Sequence, residues 1–241
     1  MEFFTDIHSH IIPSLDDGAE GMDQAIRMLR IARDNYIRRI IATPHYILGK
    51  HNRKSEDRTK ALETLREAAK QEAIDIELYM GNEIYYRNAA IQLLAEGEIC
   101  TLAGSSYVLI EFNPMQDYPY IRDAVYNLHA EGYRPILAHA ERYKSLMEKK
   151  ERLQDIIGMG GYIQVNAGSF IKKFGYAAKK DALWMLKEDC VHFLATDSHN
   201  DKDRAPYLAE TIKYIEKKVG KQEINRLLCE NPDRVLRNEY V

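Results

Sequence analysis

The sequence predicts an α/β fold, a (β/α) barrel of seven units, closed or slightly open, and three observations carry that expectation. Seven short apolar, β-branched runs alternate with stretches of helical spacing, the order of parallel strands joined by crossover helices. Polar residues fall at the C-terminal ends of different runs, namely His8, His45, Glu83, Glu111, His139, Asn166 and Asp197, and barrels collect their active sites on that face. A chain of 241 residues with no Pro/Gly-rich linker or low-complexity stretch suits one barrel-sized domain over residues 1–241.

Taken in order, FFTDIH at 3–8 is the first strand, and Met22, Ile26, Leu29 and Ala32 then recur at helical spacing. RIIATPH at 39–45 follows, with Pro44 removing a ladder donor and so marking a strand terminus. Ala61, Leu65 and Ala68 mark the next helix, before IELYMGNEI at 76–84 and YVLIEF at 107–112. Ala124, Leu128 and Ala130 mark another, and RPILAHA at 134–140, YIQVNA at 162–167 and VHFLATDSH at 191–199 complete the series. A doubly wound open sheet is the alternative. It places ligands at one switch point and would not need a chemically loaded residue at the end of every strand.

Composition narrows the function classes. A formal net charge of -3 offers no overall basic field for a polyanion, so nucleic acid is disfavoured, although a local pocket could hold one phosphate. The opening MEFFTDIHSH lacks the basic start and apolar run of a secretory signal, and no segment approaches the roughly 20 apolar residues of a membrane span, so a cytoplasmic protein without membrane insertion is expected. Cys100, Cys190 and Cys229 are an odd, widely spaced set, best read as reduced thiols. The stretch from Cys229 to Arg234 contains Pro232 and lies in a polar helical region rather than after a strand, which argues against a phosphate-cradling cysteine loop.

The chemistry lies at the strand ends. Asp6-Ile7-His8-Ser9-His10 sets two imidazoles two residues apart, and extended backbone points alternate side chains the same way, so both can reach one metal. Asp16-Asp17-Gly18 alone would read as a solvated turn or cap. Entered directly from His10, it keeps a hard oxygen ligand within reach of the same pocket, and Asp17 is the choice. Thr43-Pro44-His45 brings His45 to the mouth. Glu83 and Glu111 emerge from apolar strands, where burial without a partner costs several kcal/mol or forces protonation, and a cation removes that penalty.

His139 ends the fifth strand, and Arg142 three residues on is a candidate phosphate clamp. Ala195-Thr196-Asp197-Ser198-His199 repeats the spacing of the first strand, and barrel closure makes these two strands neighbours. His51 in a polar loop, His129 in a helix and His192 at a strand start read as structural. Tyr46, Tyr85 and Tyr86 flank ligands and are candidates for an aromatic surface, against the commoner alternative of packing.

Together DIHSH, LDDG, TPH, GNEIYY, LIEF, AHAERY and ATDSHN resemble the PHP (polymerase and histidinol phosphatase) superfamily over nearly the whole chain. DIHSHIIPSLDDG with AHAERY and DSHN is more closely similar to the bacterial capsule and exopolysaccharide protein-tyrosine phosphatases. The resemblance implies a distorted (β/α)7 TIM-like barrel and up to three metal ions, with Mn2+ expected and iron, zinc or magnesium as alternatives. Carried over by position, His8, His10, Glu83 and Asp197 hold the first ion. Glu83, Glu111 and His139 hold the second, and Asp17, His45 and His199 the third. Arg142 and Arg204 bind the substrate phosphate, and Asp6 orients a ligand from behind.

The implied reaction is hydrolysis of phosphotyrosine by metal-activated hydroxide, on a partner expected to be the tyrosine-rich tail of a bacterial autophosphorylating tyrosine kinase. The rival readings are a histidinol-phosphate phosphatase with the same ligands and a non-catalytic metal-binding regulator. Oligomeric state and the leaving-group acid are not legible.

Overall fold

The computed structural model describes residues 3–241. Its strands are β1 (Phe4–Ser9), β2 (Ile37–Ala42), β3 (His45–Tyr46), β4 (Glu77–Met80), β5 (Glu83–Tyr85), β6 (Tyr107–Glu111), β7 (Arg134–Leu137), β8 (Tyr162–Asn166) and β9 (Phe193–Ala195). Between and after them run α1 (Met22–Asp34), α2 (Ser55–Gln71), α3 (Ala90–Ala95), α4 (Tyr118–Ala130), α5 (Lys144–Met147) and α6 (Glu151–Gly158). The series ends with α7 (Ala167–Phe170), α8 (Gly175–Lys187), α9 (Ala209–Val219), α10 (Lys221–Asn225) and α11 (Asn231–Leu236). No helix among the described residues is long and apolar enough to cross a membrane.

The strand pairs are parallel, in two ladders ordered β1-β2-β4 and β3-β5-β6-β7-β8-β9. The second and third apolar runs, expected as single strands, are each split, at Thr43-Pro44 and at Gly81-Asn82. Pro44 lacks the N–H a ladder needs, and the Asn82 carboxamide takes over at the gap. It donates to the Pro44 carbonyl at 2.8 Å and accepts from the Cys100 N–H at 2.9 Å. Backbone bonds from Gly81 N to Ala42 O (2.8 Å) and Glu83 N to Pro44 O (3.3 Å) carry the sheet across the break. Gly81 sits close under Leu102 there, and a Cβ would lie 2.7 Å from Leu102 Cδ2, so a larger residue makes that side chain shift.

The sheet curls until its first and last strands meet. His10 N donates to Ser198 O at 2.8 Å, Asp197 N donates to His8 O at 2.9 Å, and Ser9 bridges Ser198 in parallel. A doubly wound open sheet is thereby ruled out. Ile7, Ile41, Leu109, Ile136 and Phe193 form one buried cluster with Val235 of α11. Alternating with them, Val108, Ile110 and Leu137 join the larger core under the helices. The register of β1 against β2 shifts between Asp6 and Ser9, an irregularity of the kind that re-aims side chains near a site.

The helices bury the stripes their spacing indicated, with small offsets. α1 buries Ile26, Leu29 and Ala32, whereas α2 buries Leu62, Leu65 and Ala69 and leaves Ala61 and Ala68 at the edge.

Candidate metal centre

The strand ends bring four imidazoles around Glu83. Its Oε2 lies 3.2 Å from His8 Nε2, 3.1 Å from His10 Nε2 and 3.1 Å from His45 Nδ1, while Oε1 lies 2.9 Å from His139 Nε2. Glu111 reaches His45 Nδ1 at 3.0 Å and His139 Nε2 at 3.6 Å. Asp197 Oδ1 lies 3.5 Å from His8 Nε2 and 3.4 Å from His199 Nδ1. Asp17 Oδ1 faces His45 Nε2 at 3.4 Å and His199 Nε2 at 3.6 Å. All nine residues proposed as ligands from the sequence therefore meet at one mouth.

What holds them is only partly what the sequence indicated. Asp16, the unchosen member of its pair, turns inward, with Oδ2 2.7 Å from His10 Nδ1 and accepting from His45 N at 2.7 Å. The loop lies flat on His10, and only glycine fits at position 18, where a Cβ would stand 2.1 Å from the His10 carbonyl oxygen. Gln164 is a second residue the sequence reading missed. Its Oε1 lies 3.1 Å from His8 Nδ1 and accepts from His139 N at 2.9 Å. Its amide donates to Asn166, which donates to Asp197 Oδ2 at 2.7 Å. The signal was available, since Gln164 shares a strand face with Asn166 in YIQVNA. With Nδ1 of His8 and His10 engaged from behind, both Nε2 atoms face the mouth.

Asp6 touches no ligand side chain. It accepts from the Thr196 N–H at 3.0 Å, from the Thr196 hydroxyl and from His8 N at 3.3 Å, so it ties together the backbones of the two ligand-bearing strands. Burial pushes its carboxyl up to about 6, against the lowering effect of the Thr196 bonds.

Burial opposes charge throughout the cluster, and the neighbours decide each outcome. Glu83 and Asp197 are held well below the usual carboxylate range, with His8 foremost, then His45 for Glu83 and Arg204 for Asp197. His10 is driven up by Asp16 and Glu83, whereas burial and the nearby His10 push His199 down to about 3. His45 Nδ1 is buried and sits within 3.1 Å of two carboxylates without forming a hydrogen bond to either. Nitrogen and oxygen atoms crowded this closely, only some of them hydrogen-bonded to one another as His139 Nε2 is to Glu83 Oε1 at 2.9 Å, fit first-row divalent ions. The atoms fall into overlapping sets within 4.8 Å: His10, Asp17, His45 and His199; His8, His10 and Asp197; His45, Glu83 and Glu111.

A cavity of about 600 Å3 abuts this cluster, lined by Asp197, Arg204, Lys173, Phe174 and Tyr207 among others. Arg204 Nη2 lies 2.8 Å from Asp197 Oδ1. Arg142 is exposed on the short turn Ala140–Arg142, and its Cζ stands 5.9 Å from the Phe174 ring centroid. Lys173 Nζ stands 5.0 Å from the Tyr207 centroid. Tyr46 and Tyr86 are buried in the core and form no aromatic surface, whereas Tyr85 is half-buried with Arg87 Cζ 4.7 Å from its ring centroid. Cys190 is buried with its thiol pushed up to about 11 by burial, and no cysteine joins the ligand sets among the described residues.

Residues 4–237 match the family model for capsular polysaccharide synthesis, CpsB/CapC. The chain is 33% identical over 241 residues to tyrosine-protein phosphatase CpsB of Streptococcus agalactiae, covering 98% of this chain and 99% of that protein. It is 34% identical over 237 residues to tyrosine-protein phosphatase YwqE of Bacillus subtilis, covering 98% and 92%. Among solved structures, one from work on YwqE of Bacillus subtilis and CpsB of Streptococcus pneumoniae, described as unique metal-dependent tyrosine phosphatases, aligns with a TM-score of 0.92. That match has 32% identity and covers 98% of this chain and 96% of the other.

Proposed function

The chain belongs to the CpsB/CapC family of capsular polysaccharide synthesis, and on that premise we propose that it is a metal-dependent protein-tyrosine phosphatase acting in the cytoplasm. Its substrate would be phosphotyrosine in the tyrosine-rich tail of a bacterial tyrosine kinase of capsule or exopolysaccharide synthesis. The single observation that carries the phosphotyrosine reading is the cavity beside Asp197 and Arg204, where Phe174 and Tyr207 each sit under a cation. A dianion on an aromatic ring matches that pairing, and a small amino alcohol phosphate does not.

In this reading the whole chain, residues 1–241, works as one domain, of which residues 1 and 2 lie outside the described ones. His8, His10, Glu83 and Asp197 would hold one ion, Glu83, Glu111 and His139 a second, and Asp17, His45 and His199 a third, with manganese as the metal. Divalent ions bound there supply an acidified water and neutralise phosphoryl charge. Arg142 and Arg204 grip the non-bridging phosphate oxygens, for which guanidinium forks are suited. Phe174 and Tyr207 flank the aromatic ring, while Asp16 and Gln164 engage Nδ1 of His10 and His8 and so aim their Nε2 atoms at the ions.

Hydrolysis of a phosphotyrosine peptide should exceed that of histidinol phosphate, vanish on chelation and return with manganese. Full turnover after verified metal removal would sink the mechanism. Arg142→Ala should lower kcat/KM by roughly 100-fold while metal content and thermal unfolding stay near wild type. Near-normal turnover in that variant would remove Arg142 from the site.

A further inference from the structure

One face of α8 carries Tyr176, Lys179, Lys180, Leu183, Trp184 and Lys187, a spacing that returns to the same side of a helix every three or four residues, and these residues line a groove of about 320 Å3. The core is served by Ala178, Ala182, Met185 and Leu186 instead. None of the groove-lining residues is acidic. Tyr176 is 73% exposed. Further ammonium groups gather round the rings, with Lys150 Nζ 4.2 Å from the Trp184 centroid and Lys172 Nζ 5.8 Å from the Tyr176 centroid. In a chain of net charge -3 this basic strip is local. It also starts near the cavity at the metal centre, because Phe174 lines that cavity and Tyr176 lines the groove, and two residues of chain span at most about 7 Å.

We propose that this face of α8 docks an acidic segment of the polypeptide that carries the phosphotyrosine, an inference that rests on the phosphotyrosine reading above. Charge complementarity selects the occupant: ammonium groups take carboxylates, and the two rings take the apolar or aromatic side chains between them. From Tyr176 to Lys187 the stripe spans about 16 Å of helix axis, the length of about five extended residues. The acidic block therefore lies within a few residues of the phosphotyrosine, on one side of it.

Two tryptophan-free phosphotyrosine peptides, one with an acidic flank and one with a Ser/Gly flank, test this on the wild-type protein and on K179Q/K180Q/K187Q. Wild type should favour the acidic peptide by about 10-fold in kcat/KM at low salt, and the preference should collapse in the variant and at high salt. Activity on p-nitrophenyl phosphate should be equal in both proteins. An unchanged preference in the variant, or an equal loss on p-nitrophenyl phosphate, overturns the proposal.

Trp184, the sole tryptophan, gives a readout independent of turnover. Its fluorescence should titrate with the unphosphorylated acidic peptide and not with the Ser/Gly one. If it titrates while no phosphotyrosine peptide is hydrolysed, docking stands and the phosphatase reading fails. Silence at Trp184 with the peptide, together with a response to vesicles containing phosphatidylserine, assigns the face to a membrane surface and overturns the peptide.

Discussion

Asp16 and Asp17 are neighbours in the chain and opposites in placement: Asp16 hides its carboxylate against His10 Nδ1, and Asp17 is 63% exposed at the rim, facing His45 and His199. Removing a carboxylate that orients a ligand imidazole typically costs 10- to 100-fold in metal affinity. Asp16→Ala should therefore weaken metal binding on that scale in a competition titration with a chromophoric chelator, and wild-type affinity would assign the orienting duty elsewhere. The contrast also marks how far the sequence could be read. An ionisable group at the end of an apolar strand is costly without a partner, and that cost is visible locally, so His8, Glu83, Glu111 and Asp197 could be picked out. Which of two adjacent carboxylates turns inward is decided by the path of the loop over His10, and no local cost reveals it.

The strand runs were legible as elements, and their interruptions were not. Pro44 marked an end, yet β3 follows at once, because Asn82 satisfies the polar groups that the break exposes on both sides. Asn82→Ala leaves the Cys100 N–H and the Pro44 carbonyl without their partner and should destabilise the fold by about 1–3 kcal/mol. An unshifted urea midpoint would show that other groups fill the gap. The loop after β1 makes a second demand at this scale. Gly18→Ala must lift the loop off the His10 backbone, which moves Asp16 and Asp17 together. Metal content should fall while the urea midpoint changes little, and retention of full metal stoichiometry would mean that the loop re-seats without loss.

At the scale of the whole molecule, stability should carry the signature of His192, which precedes β9 and accepts from Ile163 N at 3.1 Å. Burial, and then Arg226, push its pKa down to about 4. The unfolded ring takes a proton below about 6.5 and the folded one only below about 4, so the stabilisation is complete above pH 6.5 and is lost as pH falls toward 4. The stability gap between wild type and His192→Gln should narrow by about 1–2 kcal/mol between pH 7.5 and pH 5. A constant gap in denaturant titrations would show a freely titrating ring. Beyond stability, the junction of β1 with the segment after β9 has a consequence in time. Ser9 and Ser198 meet although 189 residues separate them. A ribosome that has released His8 and His10 must therefore add nearly 190 further residues before Asp197, His199 and Arg204 can join them, and on the proposed ligand set the nascent polypeptide stays catalytically silent until then.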